Sequence, residues 1–314
     1  MEIRAALRTG LKTLLENHVP SAQLAADLLL MHLLDRDRGY LHSHLEIEIS
    51  SEIADRYFRL IEERASGKPT QYITGHQEFW GLDFEVSPEV LIPRPETEHV
   101  VEAVLDLAAP RCVTKDARLR IVDVGTGSGC IALALASEFP RALIFGADIS
   151  RSALVVASTN ALRLAMPERV KFLESDLLSR FLDADFFSSF DFVVSNPPYV
   201  AHDERDKVQR EVREFEPRLA WGDLEHGDEM YRRLFPQALQ VLKPGGYLAV
   251  EIGYNMREAV LSLLEPQVAP ALGPAGRGAD PSCGVGATSG WTDVEVRPDL
   301  AGIPRVVIAR KRAG

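Results

Sequence analysis

The chain has 314 residues, of which 46% are hydrophobic, enough for a sizeable core and for two domains of about 100–200 residues each. Charged residues break every apolar stretch short of the ~18 that a membrane-spanning helix needs, and residues 1–16 lack the apolar segment of a secretory signal. A formal charge of −11 disfavours a nucleic-acid partner, which proteins grip through basic patches.

These features lead us to expect a cytoplasmic protein, monomeric and with no membrane or direct nucleic-acid contact. Cys112, Cys130 and Cys283 show no C-x-x-C spacing, which argues against a disulfide framework and against a metal site.

In chain order, apolar residues recur at helical spacing at Leu7, Leu11, Leu14 and Leu15, then at Leu24, Ala25, Leu28, Leu29, Met31 and Leu33. Ser21 is the expected N-cap of the second helix, and a third is expected over 52–65. Residues 1–72 thus read as a small helical bundle. Alternation around Gly81 predicts a β-hairpin over 77–86, inside a linker at 73–92.

From about residue 120 short β-branched runs alternate with helical stretches. Strands are expected at 121–124, 142–147, 170–173, 190–194 and 246–252, with helices at 131–139, 152–164, 231–242 and 257–264. This alternation implies a parallel sheet with helices on both faces. Residues 266–290, rich in Gly, Pro, Ala and Ser, read as a flexible insertion. Strands at 292–296 and 305–309 follow it.

Four motifs carry chemistry. Asp123-Val124-Gly125-Thr126-Gly127-Ser128-Gly129 joins a strand to a helix, and its glycines allow a sharp turn and close approach to a ligand. A dinucleotide fingerprint would need glycine where Cys130 stands; the motif instead resembles motif I of class I methyltransferases. Asp148, past the next strand, suits the two ribose hydroxyls of an adenosyl group, or equally the N-cap region of the next helix beside Ser150.

Asp176 and Leu177 follow the third strand, where an acid can meet the adenine amino group and an apolar side chain the ring. Ser195-Asn196-Pro197-Pro198-Tyr199 follows the fourth. The Asn196 oxygen and the Pro197 carbonyl can accept both hydrogens of a planar nitrogen and aim its lone pair. The prolines stiffen that loop, and Tyr199 offers a flat face.

Further stretches are similar to the release-factor glutamine methyltransferase family (HemK/PrmC type). They are Pro69-Thr70-Gln71-Tyr72-Ile73-Thr74-Gly75, Glu78-Phe79-Trp80-Gly81, Ile92-Pro93-Arg94-Pro95-Glu96-Thr97-Glu98, Phe215-Glu216-Pro217, Glu251-Ile252-Gly253 and Asp299-Leu300. The resemblance implies a Rossmann-like α/β fold of the class I S-adenosylmethionine-dependent methyltransferases. Its sheet would be mainly parallel and seven-stranded with an antiparallel final strand, preceded by the helical bundle.

The implied activity is methylation of the glutamine in the Gly-Gly-Gln motif of class I peptide chain release factors, which the bundle would contact. The catalytic domain would span 93–314. Gly125, Thr126, Gly127, Ser128, Gly129, Asp148, Asp176, Leu177 and Asn196 would contact S-adenosylmethionine, and Asn196 to Tyr199 would hold the amide. Arg94 and Glu96 would line the mouth, or else form a structural pair. A ribosomal-protein glutamine methyltransferase and a nucleic-acid amino-methyltransferase are the rival readings. The stretch from Trp221 to Asp228, Met256 and the insertion depart from the family pattern.

Overall fold

The computed structural model describes residues 1–109, 118–265 and 290–313. Helices α1 (Ile3–Glu16), α2 (Ala22–Leu34), α3 (Arg38–Ser43), α4 (Ser51–Ala65) and α5 (Thr70–Thr74) come first. Helix α2 is nearly all apolar and supplies the middle of this bundle, burying Ala25, Ala26, Leu29 and Leu30 against α1 and α4.

Ser21 does not cap α2. It is left-handed (φ 51°, ψ 39°) and its side chain makes no capping bond, because burial of the apolar face fixes where α2 begins. Asp37 and Ser50 do cap, accepting from the Tyr40 and Ile53 amides at 2.7 and 3.2 Å. Asp27, wholly buried on α2, accepts from Gln23, Arg38 and His42 at 2.7, 3.1 and 2.8 Å. That carboxylate ties the short α3 to the bundle.

Strands β1 (His76–Phe79) and β2 (Leu82–Glu85) form the expected hairpin. Trp80 and Gly81 at its tip both have positive φ, the geometry that matches strand twist. Phe79 and Phe84 enter the core that includes Ile121 and Phe192, and Asn160 bonds both backbone groups of Glu85 at 2.7 and 2.9 Å. Helix α6 (Glu98–Ala108) follows; the sequence reading placed no element there, although Val100, Val101 and Val104 give it a buried face.

The alternating half comprises β3 (Arg120–Val124), α7 (Cys130–Glu138), β4 (Leu143–Asp148), α8 (Arg151–Arg163), β5 (Val170–Glu174) and β6 (Phe190–Ser195). Then come β7 (Val200–Ala201), α9 (Arg210–Phe215), α10 (Arg218–Trp221), β8 (Gly222–Leu224), α11 (Glu229–Val241), β9 (Leu242–Glu251), α12 (Arg257–Leu264), β10 (Trp291–Pro298) and β11 (Pro304–Lys311). The seven-stranded sheet has the order β10-β11-β9-β6-β3-β4-β5. Its final strand β11 is antiparallel to both neighbours, and the other pairings are parallel.

Alternate strand residues bury on opposite faces. Ile121, Ile144 and Phe192 pack with α6 and α7, while Val122, Phe145 and Val193 pack with α11 and α12. The chain moves outward through β3, β4 and β5 and returns to place β6 on the other side of β3. That reversal opens a crevice at the carboxyl ends of β3 and β6. Apart from Gly290, the expected insertion at 266–290 lies outside the described residues, as do Cys112 and Cys283. No helix among the described residues is long and apolar enough to cross a membrane.

Asp27→Ala removes three hydrogen bonds at once and is expected to lower stability by about 1–3 kcal/mol. Chemical denaturation of the two proteins measures this directly.

Candidate functional site

Register assembles the site. Val124 pairs with Ser195 across β3 and β6, and Ser195 with Val250 across β6 and β9. The Ser195 hydroxyl locks the first pair by donating to the Val124 carbonyl at 2.7 Å. The glycine loop, Asn196 and Glu251 therefore leave three adjacent strands at one level.

A cavity of ≈ 370 Å³ opens there, within the range of small-molecule sites. Arg94, Gly125, Thr126, Gly127, Ser128, Asp148, Asp176, Leu177, Asn196 and Pro198 all line it. Among the expected residues Gly129, Pro197, Tyr199 and Glu96 are not on its wall. Gly129 instead packs beneath the loop: an added Cβ would lie 3.2–3.4 Å from Leu133, Ala157 and Phe172. Ile149, Met230 and Leu219 add apolar wall.

Gly125, Gly127 and Gly129 have φ of 70°, 54° and 83°, values that side-chain-bearing residues avoid. The Gly125 and Thr126 amides both donate to the Ala147 carbonyl, at 2.8 and 2.9 Å. A Cβ on Gly125 would meet no atom within 4 Å, so glycine keeps this wall open to a ligand. The Ser128 hydroxyl is buried on the same wall. Below the loop the wholly buried Asp123 accepts from the Thr126 hydroxyl and the Ala132 amide at 2.7 and 3.2 Å. Burial pushes this carboxyl up to about 7, against the pull of those two bonds.

Of the two candidates for the N-cap of α8, Ser150 takes it. Ser150 caps α8, accepting from the Ala153 amide at 3.2 Å. Asp148 is held by the Gly127 and Ser150 amides, one on each oxygen, both at 2.9 Å. Each oxygen keeps a lone pair for a ligand. Burial raises its pKa, and the backbone donors oppose the rise. Leu177 takes a left-handed conformation (φ 50°) under a 2.8 Å bond from Ser175 to its carbonyl. Asp176 pairs with Arg233 of α11 at 2.5 Å, a partner that sequence spacing did not show.

Asn196 donates from Nδ2 to the Thr97 hydroxyl at 3.0 Å. Thr97 in turn donates to Glu251 Oε2 at 2.6 Å. Both Thr97 and Glu251 are buried, and burial raises Glu251 to about 7 although the Thr97 bond lowers it. Neither was singled out from the sequence. A carboxylate in the otherwise apolar run Leu248-Ala249-Val250-Glu251-Ile252 was the available signal.

Burial also raises Tyr199. Its ring sits so close to Gly253 that a Cβ there would lie 3.1 Å away. The buried Met256 fills the same region.

Arg94 and Glu96 do not pair with each other. Arg94 bonds the buried Glu216 at 2.5 Å, which also accepts the Ile92 amide at 3.2 Å. Glu96 lies 3.7 Å from Arg305. A buried carboxyl distant in sequence thus takes the Arg94 guanidinium, and the one two residues on does not. Arg94 also lines a second cavity, of ≈ 320 Å³, bounded by Leu24 and Leu28 of α2, Thr70 of α5 and Glu211 of α9.

Two family models match the chain, the PrmC N-terminal domain over residues 5–75 and the methyltransferase small domain over residues 107–220. A release factor glutamine methyltransferase of Koribacter versatilis is 46% identical over 99% of both chains. The chain belongs to the release factor glutamine methyltransferase family. Another member, from Moorella thermoacetica, is 38% identical over 99% of both chains. Among solved structures, the hMettl16 catalytic domain in complex with the MAT2A 3'UTR hairpin 6 aligns with TM-score 0.51. It covers 80% of this chain and 81% of that one, at 17% identity, a likeness of fold alone. The glycine loop and the Asn196-Pro197-Pro198-Tyr199 turn are the two motifs that the register brings side by side.

The raised carboxyls set a pH dependence. Asp123 and Glu251 hold their protons in the fold to about 7, after the unfolded chain has lost them. Folding stability therefore falls as pH rises from about 4 towards 7. Thermal unfolding between about pH 5 and 8 is expected to show Tm falling, and Glu251→Gln is expected to flatten part of the fall.

Proposed function

We propose that the protein transfers a methyl group from S-adenosylmethionine to the side-chain amide nitrogen, N5, of the glutamine in the Gly-Gly-Gln motif of class I peptide chain release factors. The observation that carries this reading is the Val124–Ser195 pairing, which sets a glycine cradle beside Asn196-Pro197-Pro198-Tyr199. Membership of a family whose members are named for this reaction supports the substrate.

S-adenosylmethionine supplies, when bound, a sulfonium methyl group open to attack by a nitrogen lone pair. The chain's own groups do the rest. Gly125, Thr126, Gly127 and Ser128 would hold the methionine end, with the open Gly125 wall facing it. Asp148 would take the ribose hydroxyls on its remaining lone pairs. Leu177 and Ile149 would enclose the adenine, and Asp176, steadied by Arg233, would face its amino group.

An amide nitrogen is a poor nucleophile because its lone pair is delocalised. Asn196 Oδ1 and the Pro197 carbonyl would accept its two hydrogens, orient it and stabilise the charge that grows on it. Tyr199 would give the flat amide a surface. Proton loss from the alkylated nitrogen then needs no strong base.

In this reading residues 1–72 engage the release factor, 73–92 link, and 93–314 catalyse. Arg94 stands where the helical bundle and the active cavity meet. Such a substrate places the protein with the cytoplasmic machinery of translation termination.

Purified protein with radiolabelled S-adenosylmethionine is expected to label an unmodified release factor, and to lose that label when the Gly-Gly-Gln glutamine is replaced. Label confined to ribosomal proteins or DNA would refute the substrate. Asn196→Ala is expected to lower kcat by roughly 10²–10³-fold while binding of S-adenosylhomocysteine, read by calorimetry, stays nearly unchanged.

A further inference from the structure

Thr97 occupies the N-cap position of α6, yet its hydroxyl caps nothing. It spans instead from Glu251 Oε2 at 2.6 Å to Asn196 Nδ2 at 3.0 Å. The three residues come from the first turn before α6, the end of β9 and the end of β6. The Ser195–Val250 register brings the last two level. A structural threonine at a helix start would spend its hydroxyl on an amide two or three residues on.

We infer that Thr97 and Glu251 are positioning residues that fix which way the Asn196 side chain faces, so that its oxygen and not its NH2 meets the substrate nitrogen. The inference rests on the amide-methyltransferase reading above and deepens it.

The two ends of an asparagine amide have nearly the same shape, and only hydrogen-bond partners decide between them. A hydroxyl carries one hydrogen, and an ionised carboxylate can only accept. With Glu251 ionised, the Thr97 hydrogen must point to Glu251, and Thr97 can then only accept from its other neighbour. Only the NH2 end of Asn196 satisfies it. Oδ1 is then the end of the amide left free of Thr97, on a side chain that lines the cavity.

The flipped amide would set oxygen against oxygen at Thr97. It would also offer two donors to a substrate nitrogen that itself has only hydrogens to give. A carboxylate at 251 thus gives the chain of bonds one direction, which a glutamine, donor at one end and acceptor at the other, would not.

Among the described residues no cation hydrogen-bonds Glu251. The groups that face it are Glu96 from the turn before α6, Arg94 from the linker and Arg305 of β11. Tyr199 after β6, Tyr231 of α11 and Cys130 at the start of α7 complete the set. Arg94 and Arg305 favour its charged form and Glu96 opposes it. Glu251 protonated on Oε2 would donate to Thr97, turn the Thr97 hydrogen towards Asn196 and reverse the amide. The active form is therefore the ionised one, and kcat should rise with pH through the Glu251 ionisation.

The test compares Thr97→Val, Thr97→Ser and Glu251→Gln with the wild type. It measures kcat and KM for the release factor, the Kd for S-adenosylhomocysteine, and a melting curve for each protein. Thr97→Val keeps the shape and drops the hydroxyl, and Thr97→Ser does the reverse. Thr97→Val and Glu251→Gln are expected to lose roughly 10²-fold in kcat with Kd nearly unchanged. Thr97→Ser should stay within a few-fold of wild type, and the acid limb of the pH–kcat profile should vanish in Glu251→Gln.

Undiminished kcat in Thr97→Val, or Thr97→Ser as slow as Thr97→Val, would overturn the inference. Should Thr97→Val fail to fold, Glu251→Gln decides by the same kcat and pH criteria. A wild type that leaves the release factor unlabelled overturns the proposed function itself, whereas a labelling wild type with an equally fast Thr97→Val removes the positioning role alone.

Discussion

Three parallel strands, β3, β6 and β9, end at one level, and the centre of the candidate site takes its place from that alignment. The Val124–Ser195 and Ser195–Val250 pairs put the glycine loop, the Asn196 turn and Glu251 on neighbouring strand ends. A slip of one residue in β6 would turn Asn196 to the opposite face. The Ser195 bond to the Val124 carbonyl resists that slip at the point where it matters. Apolar packing on both faces of the sheet fixes the same register from above and below.

The site departs from a plain apolar core in one respect. Asp123 and Glu251 are wholly or almost wholly buried, and each leans on a threonine hydroxyl: Thr126 for the first and Thr97 for the second. Burying a carboxyl is unfavourable, and among the described residues no cation hydrogen-bonds either one. Both lie directly behind loops that line the cavity. The cost is borne at the site and offset by the large cores on either side of it. One buried carboxyl shapes the glycine loop through Thr126 and the Ala132 amide; the other reaches Asn196 through Thr97.

Local pattern made most of the fold legible. Helix α12 lies at the expected 257–264, and the other expected strands and helices of the alternating half fall within a few residues of their bounds, whereas β7, α9, α10 and β8 were not expected. β-branched runs between helical stretches have few other solutions, so the parallel sheet followed. The glycine loop, Asp148, Leu177 and Asn196 were legible because each belongs to a motif at a strand end.

What stayed hidden depends on distant partners. Thr97 meets Glu251 across 154 positions and Arg94 meets Glu216 across 122, pairings that no local pattern reveals. Ser21 failed as a cap because packing of α2 outweighed a local preference. The packing of Gly129 against Leu133, Ala157 and Phe172 is likewise visible only in three dimensions.

The central claim, an amide nitrogen as methyl acceptor at Asn196, is tested most directly by fragmentation mass spectrometry of a release factor after incubation with the protein and S-adenosylmethionine. The account predicts a single added methyl on the side-chain nitrogen of the Gly-Gly-Gln glutamine. A methyl group carried instead by a lysine, an arginine, a carboxylate or the chain terminus would contradict it.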